Sequence, residues 1–337
     1  MVKTDAPPTK LVLIVTPHFN MAATAGFIDP FRAANYLDGT AHFTWDIASA
    51  AGGACLASNG MCIDTVPLAD LRGAARDMVI VSSSWTPEAH FVPQLSSALW
   101  RWARGGATLG GIDTGAFLLA QAGLLDGRRA TVHYEHMDAF AERFPECILS
   151  EDLYILGGDR ISCAGGAASM DFALQIIRMA RGDAAANGAA RYLFHGAVRP
   201  PGTAQNDAPV EPLGNTAPGA VKRAIALMEK HLETPLPIAQ ICAEVGISHR
   251  QLDRLFAAHV RKTPALYYRD IRLDRARGLV TQTDLPLAQV AVASGFASQV
   301  HFSRAYRARF GLPPSADRVE GRVPFEFRAW PMHRKSS

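Results

Sequence analysis

The sequence predicts two domains of different fold class, a doubly wound α/β domain followed by an all-α domain. The chain has 337 residues, more than a single hydrophobic core usually serves. Strand-like and helix-like segments alternate through the first part, whereas helical periodicity alone continues through the second. A stretch rich in proline and glycine separates the two.

The first domain is predicted from short apolar runs that alternate with amphipathic stretches. Such alternation builds a mostly parallel sheet with helices on both faces, and it places ligands at the carboxyl ends of the strands. The predicted strands lie at 11–16, 43–50, 77–82 and 108–112, the predicted helices lie at 22–36, 93–104 and 114–122, and a strand, turn and helix follow over 161–181.

A linker is predicted at 196–218, because proline and glycine recur there every few residues and cannot sustain a helix or a central strand. The predicted domains are therefore residues 10–195 and residues 219–320. The tail at 321–337 is left unassigned.

Charge is divided unequally between the two parts. Residues 1–218 carry 15 Lys and Arg against 21 Asp and Glu, a net charge of −6. Residues 219–337 carry 19 against 10, a net charge of +9. This imbalance predicts that only the second part meets a polyanion, with nucleic acid as the first candidate.

Composition argues against a membrane protein and against a disulfide scaffold. The longest apolar runs, such as 11–15, fall far short of the ~20 residues that a membrane helix needs. Residues 1–10 lack the apolar segment of a signal peptide, so we expect a cytoplasmic protein with no membrane partner. The five cysteines show no paired C-x-x-C spacing, and we expect no metal and no cofactor.

The second part contains an internal repeat. The pattern of 238–248 returns at 287–297, 49 residues later, and each copy has a glycine at the equivalent place, Gly246 and Gly295. Each copy predicts a short amphipathic helix, a turn at the glycine and a second helix with outward polar residues. This is the helix-turn-helix arrangement, in which the second helix enters a major groove of DNA. A predicted helix at 265–280 separates the copies.

The second copy carries a family resemblance in residues 290–315, VAVASGFASQVHFSRAYRARFGLPPS. This stretch resembles the signature of AraC/XylS transcription regulators, whose DNA-binding domain has two helix-turn-helix units joined by a long helix. The resemblance covers about 220–318, although Asp317 replaces the expected aromatic residue. It implies a sequence-specific regulator of promoters, and we expect an activator, with RNA polymerase as a further partner.

The residues expected to contact DNA are the polar side chains of the two recognition helices. They can reach base edges or phosphates, and Arg307 and Arg309 are expected to contact the DNA backbone. The alternative for each is a solvated charged face. The candidates are His249, Arg250, Gln251, Arg254, Ser298, Gln299, His301, Arg304 and Arg307.

A tight turn is predicted at 111–115, Gly-Ile-Asp-Thr-Gly, between a strand and a helix. This is the setting of a nucleophile elbow, where small flanking residues permit a strained turn that presents one side chain. The residue presented here is Asp113. One interpretation is that Asp113 only caps the following helix, and the other is that it caps the helix and also contacts a ligand.

The first domain also shows a family resemblance. The stretches GAFLLAQAGLLDGRRATVH at 115–133, FIDPFRAAN at 27–35 and CAGGAASMD at 163–171 resemble the class I glutamine amidotransferase-like (ThiJ/PfpI) domain, with a flavodoxin-like fold, of one AraC subgroup. Enzymes of this fold use cysteine at the elbow, where Asp113 is a poor substitute. We therefore expect a sensing domain with no catalytic residue. The alternative is an amidase or hydrolase tethered to DNA.

The resemblance implies a small-molecule effector, with quaternary amines such as glycine betaine or carnitine, or related amino acids, as candidates. A quaternary ammonium offers no strong hydrogen-bond donor, so ring faces and negative charge must hold it. Each aromatic residue, taken singly, is more often a core residue. We expect a homodimer formed through this domain. The candidate ligand-binding residues are Asp113, Thr114, Asp29, Trp85, His133, Tyr134 and Phe19.

Overall fold

The computed structural model describes residues 7–205 and 218–320, and these form two compact units. Residues 206–217, which make up most of the predicted linker, and the tail at 321–337 lie outside the described residues. The predicted domain boundaries stay predictions.

The first unit is built on an eight-stranded sheet with the order β3-β4-β2-β1-β5-β6-β10-β9. The six central strands run parallel, and an antiparallel strand closes each edge. A separate pair, β7 and β8, is also parallel. The strands are β1 Thr9–Val15, β2 Phe43–Ser49, β3 Gly53–Leu56, β4 Cys62–Pro67, β5 Met78–Ser83, β6 Thr108–Asp113, β7 Arg129–Ala130, β8 Ile148–Leu149, β9 Tyr154–Gly157 and β10 Arg160–Cys163.

Helices cover both faces of this sheet. Along β1, Leu11 and Leu13 belong to one hydrophobic cluster with helices α1, α5 and α6, whereas Val12 and Ile14 belong to a second cluster with α2, α3 and α4. Because side chains alternate along a strand, this division requires both faces to be buried, and the prediction of a doubly wound α/β domain is confirmed. The helices are α1 Met21–Asp38, α2 Pro93–Arg104, α3 Gly115–Gln121, α4 Met137–Arg143, α5 Ala168–Arg181 and α6 Asp183–Tyr192, with 3₁₀ turns at Pro87–His90 and Tyr134–His136.

The second unit is all-α, as predicted, with two helix-turn-helix units over two small cores. The long helix α10 serves both, since its Tyr268 packs in the first core and its Leu273 packs in the second. The helices are α7 Gly219–Lys230, α8 Ile238–Val245, α9 His249–His259, α10 Pro264–Gln282, α11 Leu287–Ala293, α12 Gln299–Phe310 and α13 Pro314–Glu320. Within the described parts of the chain, none of the helices combines the length and apolar character needed to cross a membrane.

Candidate functional site

The turn at 111–115 is a strand-to-helix elbow in the structure. Asp113 ends β6 with a φ of +61°, the left-handed region that residues with a side chain rarely adopt. The turn requires its glycines, since a Cβ on Gly115 would lie 1.9 Å from the Val81 carbonyl oxygen and one on Gly111 would lie 2.4 Å from the Ala116 nitrogen. The elbow therefore presents Asp113 at the carboxyl edge of the sheet.

The Asp113 side chain is turned toward α1. Its Oδ2 accepts a hydrogen bond from Asn20 Nδ2 at 3.1 Å, and Asn20 Oδ1 in turn caps α1 by accepting from the Ala23 amide. The Thr114 amide, at the start of α3, also hydrogen-bonds this carboxylate. Because Asp113 contacts the starts of both α1 and α3, capping of α3 is one part of its role. Sequence reasoning missed Asn20, although an asparagine just before an amphipathic helix is an ordinary capping signal.

Burial dominates the electrostatics of this carboxyl group. Asp113 is 4% exposed, and this burial raises its pKa to about 6, against the opposing effects of His133 and of the Asn20 hydrogen bond. The charge on Glu135 adds to the rise. A carboxylate that is costly to ionise, and that has one side-chain donor, is stabilised when a cation approaches it.

Three of the predicted ligand-binding residues lie at the sheet edge that holds the elbow. The His133 amide donates to the Asp113 carbonyl oxygen at 3.4 Å, and the His133 and Tyr134 rings lie 4.5 Å apart, with Tyr134 more than half exposed. Trp85 is half-buried just after β5, and its ring centroid lies 6.4 Å from that of His18. The buried carboxylate thus has rings on both sides of it in the sequence, Trp85 just after the neighbouring strand β5 and His133 in the segment that follows β7.

The other three predicted residues lie in different settings. Thr114 is buried and uses both donors internally, its amide to the Ser83 carbonyl and its hydroxyl to the Ser84 carbonyl. Phe19 is fully buried in the core, so its ring has no exposed face. Asp29 pairs with Arg32 at 2.9 Å on the outer surface of α1, and its side chain is 49% exposed.

One group of side chains beside the elbow is of a type that binds metal ions. His133, Glu135 and His136 each offer a ligand atom, and these atoms lie within 4.8 Å of one another. Two imidazoles and a carboxylate suit a divalent transition metal. The sequence-based expectation of no metal rested on the spacing of the cysteines, which does not bear on these histidines and this glutamate.

The two recognition helices repeat one pattern of exposure. Residues 251–260 and 301–310 show the same order of buried, half-buried and exposed side chains, with Leu252 and Phe256 buried in the first and Phe302 and Tyr306 in the second. Except for Ser298, which is half-buried, the DNA-contact candidates of α9 and α12 are exposed. The exposed candidates are His249, Arg250, Gln251, Arg254, Gln299, His301, Arg304 and Arg307.

Some of these polar side chains also hold their own helix starts. Ser248 and Gln251 form a reciprocal capping box at the start of α9. Ser298 accepts from the His301 amide at 3.3 Å at the start of α12. Helix capping is therefore a structural reason for these polar residues at the starts of α9 and α12, apart from any contact with DNA.

Two residues near the end of the second unit explain departures from the sequence-based expectations. Arg309, expected to contact the DNA backbone, instead pairs with Asp274 at 2.6 Å and with Asp270 at 3.0 Å. Asp317, which replaces an aromatic residue of the family pattern, is fully buried and accepts from the Tyr306 hydroxyl at 2.7 Å and from Arg277 Nε at 3.0 Å. A charge-assisted network thus takes the place of ring packing.

Comparison with known proteins agrees with this architecture. A model described as a helix-turn-helix domain matches residues 223–319. The HTH-type transcriptional regulator CdhR of Pseudomonas aeruginosa is 39% identical over 307 residues, 91% of this chain and 90% of that protein. The regulator GbdR of the same species is 33% identical over 311 residues, 92% and 84% of the two chains.

This chain belongs to the AraC family of helix-turn-helix transcriptional regulators. The regulator also resembles a ThiJ/PfpI family protein from Pseudomonas syringae, at 18% identity and a TM-score of 0.51, over 77% of this chain and 90% of that one. This likeness concerns the fold alone, and it agrees with the flavodoxin-like fold predicted for the first unit.

The raised pKa of Asp113 predicts a pH dependence of stability. A carboxyl group whose pKa is higher in the folded chain stabilises the fold when protonated, so its contribution is fully present below the ordinary pKa of 3.8 and is lost as pH rises through about 6. Relative to Asp113→Asn, the free energy of unfolding of the parent should therefore fall by on the order of 3 kcal/mol between pH 4 and pH 7. Asparagine suits this test because it tolerates the left-handed backbone.

This difference is measured by denaturant unfolding of both proteins, with tryptophan fluorescence as the readout. EDTA keeps metal ions away from the His133, Glu135 and His136 group. Asp29→Asn is the matched control, since it makes the same chemical change at an exposed ion pair and should alter the free energy of unfolding by less than about 1 kcal/mol at either pH. A parent-minus-variant difference that stays constant from pH 4 to pH 7 contradicts the prediction.

Proposed function

We propose that the first unit of this regulator binds a small cationic amine at Asp113, and that binding controls promoter recognition by the second unit. The observation that carries the proposal is the buried Asp113 carboxylate, held on a left-handed elbow with Asn20 as its side-chain donor. A buried carboxylate on a strained backbone lowers the stability of the fold unless a charged partner compensates it. A bound cation would offset that cost.

We further propose a quaternary ammonium carboxylate, such as glycine betaine or carnitine, as the ligand. Its trimethylammonium group has no N–H to donate, so it depends on charge and on ring faces. Asp113 supplies the charge, and rings come from Trp85 after β5 and from His133 and Tyr134 after β7. Asp29, Phe19 and Thr114 are left out of this pocket, because their side chains are engaged elsewhere.

Catalysis is the weaker alternative for the same site. The elbow carries Asp113 where enzymes of this fold carry cysteine. Cys163 lies close by, since the Asp113 charge acts on it, but burial raises the pKa of its thiol to about 12. A thiol that stays protonated at neutral pH is a poor nucleophile. We therefore propose a sensing role without turnover.

For the second unit we propose that α9 and α12 read promoter DNA through successive major grooves, about 34 Å apart. The exposed Arg254 and Arg304 occupy equivalent places in the two helices, and neither is ion-paired within the described residues. We also propose that the regulator acts as a cytoplasmic activator that contacts RNA polymerase. A homodimer through the first unit is supported by its exposed Tyr36 and Tyr192, whose rings lie 5.4 Å apart.

Calorimetry on the full chain tests the effector proposal. Among glycine betaine, carnitine, choline and arginine, a quaternary ammonium carboxylate should bind, and Asp113→Asn should weaken it at least about tenfold, because the variant keeps the shape of the site and removes the charge. The ligand control is 3,3-dimethylbutanoate, which replaces the ammonium nitrogen of glycine betaine with carbon. The parent should bind this compound at least about tenfold more weakly than glycine betaine. Asp29→Asn should bind like the parent. Equal affinity of the parent and Asp113→Asn for the bound amine would overturn the assignment.

The DNA interface is tested with sequences that the full chain selects from a random pool. Arg254→Ala and Arg304→Ala should each weaken binding, by ~1–3 kcal/mol if the arginine reads a guanine through two hydrogen bonds and by less if it contacts phosphate. Arg269→Ala, an exposed arginine of α10, is the matched control and should change affinity less. Fluorescence anisotropy at fixed salt gives the affinities. If both recognition-helix variants distinguish selected from random DNA as well as the parent does, these helices do not read the sequence.

A further inference from the structure

Residues 195–205 form a strap along the first unit, immediately before the segment that leads to the DNA-binding unit. The Leu153 amide donates to the Thr203 carbonyl at 2.8 Å, and the Gln205 amide donates to the Glu151 carbonyl at 2.8 Å. The Tyr154 hydroxyl also donates to the Arg199 carbonyl. The strap is thus held along the edge strand β9 and the residues that precede it.

The first anchor of the strap is a buried carboxylate. Asp171, in the first turn of α5, has a fully buried side chain that pairs with His195 at 2.7 Å and with Arg199 at 2.5 Å. The Arg199 amide also donates to Asp171 Oδ1. A buried carboxylate with a charged partner and several donors is costly to separate from them, so this end of the strap is firmly attached.

The second anchor is the side chain of Gln205. Its Nε2 donates to the Val132 carbonyl at 2.9 Å and to the Thr131 hydroxyl at 3.0 Å. Thr131 is fully buried, and its hydroxyl donates to the Asp152 carbonyl at 2.7 Å. The end of the strap is therefore attached inside the wall of the first unit.

Both anchors lie next to groups that touch Asp113. Val132 precedes His133, whose amide donates to the Asp113 carbonyl. The loop before α5 approaches the same residue, since a Cβ on Gly165 would lie 3.0 Å from the Asp113 Cβ. When a ligand reaches Asp113, a movement of His133 would act on the Gln205 anchor, and a movement of this loop would act on the Asp171 anchor.

We propose that the strap transmits occupancy of the Asp113 site to the DNA-binding unit, with Gln205 as the positioning residue that links the two. The inference rests on the proposed function, because it takes Asp113 as the ligand site. Release of residues 196–205 would add up to ~35 Å to the reach of the connection that continues at residue 206. Attachment or release of the strap therefore changes the length of chain that connects the first unit to the second.

Coupling of this kind is reciprocal. If ligand binding changes the attachment of the strap, then weakening the strap changes the ligand affinity by the same factor. If Gln205 only stabilised the fold, substituting it would lower the melting temperature and leave the affinity for ligand unchanged. This difference separates positioning from a purely structural role.

The experiment measures amide hydrogen exchange and ligand binding on the full chain. The Leu153 and Gln205 amides report attachment of the strap, and the amides of β1 report the core. Asp113→Asn, or saturation of the parent with glycine betaine, should change exchange of the strap amides at least about fivefold and leave β1 unchanged. Gln205→Glu, which keeps the size of the side chain and removes its donors, should also change the affinity for glycine betaine at least about fivefold. Gln94→Glu makes the same chemical change at an exposed position of α2 and should alter neither readout.

The two proposals fail in different ways. If glycine betaine and its relatives do not bind, the proposed effector class is wrong, and Asp113→Asn still tests the strap through exchange alone. If Asp113→Asn leaves exchange of the Leu153 and Gln205 amides at the parental rate, the strap does not respond to the Asp113 site and the inference is overturned. It is also overturned if Gln205→Glu binds glycine betaine as tightly as the parent while its strap amides exchange faster.

Discussion

The burial of one carboxyl group, that of Asp113, is the constraint around which the first unit is organised. Its left-handed backbone requires glycine at Gly111 and Gly115, and its side chain takes a donor from Asn20, the residue that begins α1. The end of β6 and the starts of α1 and α3 therefore meet at one turn. Strain and desolvation of this kind are retained where a fold uses them.

In the second unit, a buried carboxylate forms ion pairs with both helix-turn-helix units. Asp270 of α10 accepts from Lys262, which follows the first recognition helix, and from Arg309 of the second at 3.0 Å. One carboxylate thus bridges residues at the ends of both recognition helices. Arg254 and Arg304 make no ion pair among the described residues, as their proposed contact with DNA requires.

Much of the fold and part of the site could be predicted from the sequence. The central strands are continuous apolar runs, and the repeated glycines Gly246 and Gly295 have φ values of +79° and +72°, as the predicted turns need. The edge strands β3 and β9, and β4 beside β3, were not predicted, because they are short and their pairing is set by tertiary contacts. Asn20 and Gln205 were missed for a related reason, since each acts through a partner more than 70 residues away. Phe19 and Asp29 were predicted to bind the ligand, but the Phe19 ring is buried in the core and Asp29 pairs with Arg32.

The most direct test of the central claim is the titration of the Asp113 carboxyl carbon by NMR, with and without a bound quaternary amine. Burial should give this group a pKa of about 6 in the free protein, and a cation at the site should lower it, since opposite charge favours the ionised form. Asp113→Asn identifies the signal by its absence. If the pKa of Asp113 stays the same when a quaternary amine binds, the amine binds elsewhere and the account is contradicted. An ordinary pKa near 3.8 in the free protein would also contradict it.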